Sequence, residues 1–62
     1  MTPRQREILR LVALGMNYEK VGARLFLSER TVRYHMAHIR QRLGLASRNE
    51  VRDYARTHSL IG

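Results

Sequence analysis

Arg30, Arg33, Tyr34, Ala37, His38 and Gln41 are the residues of this chain whose types and spacing could do chemistry together. If residues 29–43 form a helix, at about 100° per residue, Arg30, Tyr34, Ala37, His38 and Gln41 fall opposite Val32, Met36, Ile39 and Leu43, with Arg33 on the flank. A guanidinium is a planar fork that fits a phosphate or the O6/N7 edge of guanine. Gln41 and His38 add an amide and an imidazole, and Ala37 permits close approach. A solvated helix face ordinarily mixes Glu with Lys, yet no carboxylate follows Glu29 in this stretch. The chemistry implied is recognition of a polyanion, by a helix shaped to enter the major groove of DNA.

Other chemistries find little support. His35 and His38 could supply half of a metal site, but there is no cysteine, and only His58 and scattered carboxylates remain as ligands. No nucleophile, base and orienting group can be assembled, and no glycine-rich loop could cradle a phosphate. No metal, cofactor, small-molecule ligand or enzymatic activity is expected.

The elements that must position the basic face can be read from caps and stripes. Ser28 is an N-cap and Glu29 suits the positive end of the helix dipole; Gly44 closes the helix, with Arg40 and Arg42 in its last turn. Thr2, Pro3 and Gln5 make a complete start for a helix over 3–14, whose apolar stripe is Ile8, Leu11 and Val12, widened by Leu9 and Leu14. Arg6 and Arg10 face away, and Gly15 stops it. Asn17 caps a short helix over 18–26 with Tyr18, Val21 and Leu25 inside. Gly22 is a poor helix former, which implies close approach of another helix. Leu27 is the whole connection to Ser28 and should plug the corner, so helices 18–26 and 29–43 read as a helix-turn-helix. Ser47 starts a fourth helix over 48–58. Val51, Tyr54, Ala55 and His58 share one face, and Arg48, Arg52 and Arg56 recur at steps of four beside it. The tail Ser59–Gly62 either folds back or awaits something beyond it.

At 62 residues the chain is one small domain, 1–62, with a modest core that could borrow stability from a second subunit or from a longer protein. Twelve Lys or Arg against five Asp or Glu leave a net charge of +7, which implies a polyanionic partner. The predominance of Arg over Lys favours nucleic acid over a lipid surface. No apolar run is long enough to span a bilayer, and no signal-peptide core precedes the first helix. A soluble, cytoplasmic protein is expected.

Thr2-Pro3-Arg4-Gln5-Arg6-Glu7-Ile8-Leu9 with Ala13-Leu14-Gly15, and Leu25 through His35, resemble the LuxR-type (GerE-like, NarL/FixJ-like) DNA-binding domains. Ile39, Leu43-Gly44-Leu45 and Ser47-Arg48 through Ala55 extend the resemblance over nearly the whole chain. It implies an all-α, four-helix LuxR-type helix-turn-helix domain whose third helix lies in the major groove. It also implies a bacterial transcription regulator acting on double-stranded DNA at the nucleoid, often as the C-terminal output domain of a longer protein. By the same resemblance Arg33 contacts DNA, Tyr34 and Ala37 face base edges, and Thr31 and His35 support phosphate contacts or the fold. From their chemistry, Arg30 joins Arg33, His38 and Gln41 are candidate contacts, and Arg24 and Arg40 are placed for phosphates. The fourth helix is expected to form a homodimer through residues drawn from Val51, Tyr54 and Ala55, and RNA polymerase is a candidate partner.

Three departures from the family pattern stand out, of which Gly22 in place of Ala keeps the small residue that the turn needs. Glu19-Lys20-Val21-Gly22 replaces the common Lys-Glu-Ile-Ala, so no acid completes a capping box with Asn17 and that helix start should be weaker. Tyr34 is larger than the usual occupant and should shift base preference. The competing reading is a helical interaction module that has lost specific DNA binding. A membrane-surface helix ranks below it, because the apolar stripes are needed for the core.

Overall fold

Each helix begins on the side chain that the sequence offers for it. The computed structural model describes Met1–Gly62 and comprises α1 (Pro3–Ala13), α2 (Tyr18–Leu25), α3 (Glu29–Leu43) and α4 (Arg48–Thr57), with no strand. Thr2 Oγ1 accepts from the Gln5 N–H at 3.1 Å and the Gln5 side chain accepts from the Thr2 N–H at 3.2 Å, a full capping box. Asn17 accepts from the Lys20 N–H at 2.9 Å, with nothing returned by the lysine side chain. Ser28 Oγ accepts from the Thr31 N–H and donates to the Thr31 hydroxyl. Ser47 accepts from the Glu50 N–H, and the Glu50 carboxylate reaches back to the Ala46 N–H at 2.9 Å. Such caps contribute about 1 kcal/mol each.

Three helices end one residue earlier than the expected 14, 26 and 58, because Leu14, Phe26 and His58 are C-caps. Leu14 is 53% exposed and is not part of the buried stripe. It lies past the last helical residue and, by helix periodicity, away from Ile8 and Val12.

α1 is the centre of the packing and touches the other three helices; α2 and α3 pack most closely on each other, while α4 rests on α1. Ile8, Leu9, Leu11, Val12 and Ala13 meet Val21 from α2, Val32, Met36 and Ile39 from α3, and Val51 and Ala55 from α4. No polar or charged residue is buried. Of the three α4 residues expected to divide between the core and a dimer face, Val51 and Ala55 lie in the core, at 2% and 0% exposure, and are not free to form a dimer contact. The tail folds back: the Leu60 N–H donates to the Ala55 carbonyl at 2.7 Å, and Leu60 and Ile61 pack on the core.

The turn between α2 and α3 is where the chain is tightest. The Leu27 N–H donates to the Gly22 carbonyl at 2.8 Å, and so does the N–H of Phe26. A Cβ on Gly22 would overlap the Leu27 carbonyl oxygen. The partner in this close approach is thus the backbone of the turn, where the resemblance implied a small residue, and not another helix as the glycine's poor propensity suggested. Leu27 is half-buried against the core, filling the corner. Gly22→Ala gains helix propensity but forces the turn outward, at a cost of about 1–3 kcal/mol for such overpacking. The melting temperature of G22A, followed by far-UV circular dichroism, should fall by roughly 5 °C or more. An unchanged melt would mean that the turn relaxes freely.

Candidate nucleic-acid interface

Packing α3 through Val32, Met36 and Ile39 leaves Arg30, Arg33, Tyr34, Ala37, His38 and Gln41 exposed together along its outer side. Arg24, in the last turn of α2, is exposed as well. Tyr34 is 63% exposed. Its ring rests against His38, with centroids 4.6 Å apart, and meets the edge of His35 at 5.8 Å. A tyrosine braced by the residue one turn ahead loses little rotamer freedom when it meets a partner.

Arg33 Nη2 donates to Glu29 Oε2 at 2.7 Å, while both side chains remain largely in solvent. An exposed i,i+4 pair of this kind contributes about 0.3–0.5 kcal/mol. That is less than a charge-assisted bond to a phosphate, so the pair with Glu29 does not trap Arg33. Arg30 has no acidic partner. Thr31 is half-buried, and its hydroxyl is engaged with the Ser28 cap. His35 is half-buried, with Nδ1 enclosed and without a hydrogen-bond partner.

Arg40 is placed differently from the expectation. Its Nε donates to the Leu45 carbonyl at 3.3 Å and its Nη2 to the Ala46 carbonyl, tying the end of α3 to the loop before α4. It sits about 80° around the helix from Val32, on the flank of the apolar stripe, where a long side chain reaches the returning loop more readily than the outer face. Among the expected dimer residues only Tyr54 keeps partial exposure, and its ring stacks on His58 at 3.9 Å. The outward face of α4 is polar: Arg48, Asn49, Arg52, Asp53 and Arg56 are all exposed. No helix is long and apolar enough to cross a membrane.

Residues 1–55 match the family model of bacterial regulatory proteins, luxR family (GerE). The chain belongs to the LuxR family. A Mycobacterium bovis protein named as an HTH-type transcriptional regulator is 44% identical over 55 residues, 89% of this chain but 6% of that protein. The Fimbriae Z protein of Salmonella typhimurium is 38% identical over 61 residues, 98% of this chain and 29% of that protein. The Oxygen regulatory protein NreC of Staphylococcus aureus is likewise 38% identical over 61 residues, 98% of this chain and 28% of that protein. The chain thus spans under a third of each of these relatives. Four helices without strands, two of them joined by a turn as short as Phe26-Leu27, are the helix-turn-helix architecture of the family.

In this LuxR-family domain the loop contacts give Arg40 a part in holding the end of α3 to the loop before α4. Arg40→Ala should lower stability by roughly 1–3 kcal/mol, as for lost hydrogen bonds from a charged group. The slope of DNA affinity against salt should stay unchanged. A slope reduced by about one unit, with the melt unmoved, would return Arg40 to the phosphate-contacting set.

Proposed function

We propose that this domain reads double-stranded DNA sequence-specifically, with α3 in the major groove, as the DNA-binding part of a bacterial transcription regulator. The observation that carries the reading is the outer side of α3. Arg30, Arg33, Tyr34, Ala37, His38 and Gln41 are exposed together, on a helix whose entry is fixed by the Gly22–Leu27 turn. Arg30 and Arg33 supply forked donors, to guanine edges or to phosphates. Ala37 allows the helix to sit close, and Tyr34, His38 and Gln41 meet the base edges along the groove. Arg24 anchors α2 on the phosphate backbone, and Thr31 supports the same strand from the first turn of α3.

Two copies on a two-fold-related site, with recognition helices about one turn of DNA apart, would match this geometry. The exposed face of α4 offers polar groups and Tyr54 rather than an apolar seam, and each copy carries +7. Pairing in this reading is therefore completed on the duplex, where phosphates offset the repulsion. The site of action is the bacterial nucleoid, with RNA polymerase as the partner of the assembled regulator.

The test is fluorescence-anisotropy titration of a selected-site duplex and a scrambled duplex across a salt series. A steep loss of affinity with salt for both, and a preference of roughly a thousandfold for one sequence, is expected. Arg33→Ala should weaken binding and reduce the salt slope by about one if it meets a phosphate, or relax sequence preference at one position if it meets a base. Equal, weak binding to both duplexes by a covalently linked dimer, unaffected by R30A and R33A together, would leave the domain an interaction module instead.

A further inference from the structure

Phe26 is the most exposed large apolar side chain of the domain, and neither the core nor the face of α3 accounts for it. It is 95% exposed. Its backbone lies in the left-handed region, φ 60°, ψ 40°, a conformation that glycine adopts freely and that an L residue with a bulky side chain disfavours. The residue thus weakens the turn and buries nothing in return.

Its neighbours indicate what it meets. Arg24 is exposed in the last turn of α2, and Arg30 is exposed in the first turn of α3. Phe26 stands between them, two residues before the Ser28 N-cap and so within about 7 Å of it along the backbone. If α3 enters the groove by its N-terminal half, the segment just before Ser28 lies at the groove's lip. An aromatic ring flanked in sequence by two exposed cations would there meet a phosphate backbone whose apolar surfaces are the deoxyribose faces and the thymine C5-methyl groups.

We propose that Phe26 is a DNA-contact residue, covering a C–H surface at the lip of the major groove. The inference rests on the DNA-reading function above. It assigns to the turn an apolar, salt-independent share of the binding that the basic residues cannot supply.

Phe26→Gly separates this role from any part in folding, because glycine suits the left-handed backbone. The variant should melt roughly 4 °C higher than the wild type. It should bind the selected duplex roughly tenfold more weakly, with an unchanged salt slope, since no counterion is released at an apolar contact. A duplex carrying deoxyuridine in place of thymidine distinguishes the two surfaces. A thymine-methyl contact makes the wild type, but not F26G, sensitive to the replacement; a deoxyribose contact leaves F26G weaker on both duplexes. F26G binding DNA as tightly as the wild type overturns the inference, whichever way its melting temperature moves. If instead the wild type binds no duplex, the DNA reading itself falls and this inference falls with it.

Discussion

The hydrogen bond from the Leu27 N–H to the Gly22 carbonyl, and the missing Cβ that lets the two backbones meet there, set the angle between α2 and α3. Everything on the outer side of α3 inherits its position from that contact. Helix-turn-helix turns need a residue in the left-handed region and a place where the chain comes very close to itself. A glycine serves either need. Here the glycine stands at the close approach and a phenylalanine takes the left-handed position. The hydrogen bonds from the Phe26 and Leu27 N–H groups to the Gly22 carbonyl hold the chain on either side of that strained position.

The rest of the fold compensates for a small core. Only twelve of 62 residues are buried, and a domain of this size has a net stability of a few kcal/mol at most beyond its entropy cost. Four side-chain caps of about 1 kcal/mol each are then comparable with the whole margin. This explains why every helix starts on Thr, Asn or Ser and why α1, which all the others need, carries the complete capping box. The tail acts in the same direction. Leu60 and Ile61 return to cover the end of α4, tied through the Ala55 carbonyl, and so extend a core that α1 and α4 alone would leave open.

What the sequence discloses is what is decided within one helical turn. Thr2, Asn17, Ser28 and Ser47 cap because of their own side chains, and the stripes of Ile8–Val12 and Val32–Ile39 follow from periodicity. Features decided by distant chain were hidden. Arg40 looks like any cation on a basic helix until the loop at Leu45 and Ala46 comes back to it. Val51 and Ala55 share a helix face with Tyr54, and only the placement of α1 determines that two of the three are enclosed. Leu14 and Phe26 are apolar residues of no special turn type, so nothing in their identity marks the helix as already finished. The exposure of Phe26 was illegible for the same reason: as one more apolar residue before Leu27 it passes for core.

The charge of the domain works locally rather than as a whole. Of its five carboxylates, Glu7 and Glu29 are held by Arg4 and Arg33, and Glu50 is turned to the Ala46 N–H. Glu19 and Asp53 alone are left to offset the remaining cations. With principal extents of 27, 23 and 20 Å and a screening length of about 8 Å at physiological salt, cations on opposite sides barely sense one another. The repulsion that matters lies among neighbours on one face, such as Arg24, Arg30 and Arg33 at the entry to α3. A line of phosphates relieves that repulsion whatever the bases beneath it, so these side chains favour any duplex. Under the proposed function, discrimination would then rest on groups that charge does not dominate, such as Tyr34 braced on His38, the small Ala37 and the amide of Gln41. In the proposed function, the arginines of this face would bring the helix to DNA and its uncharged residues would determine where it stays.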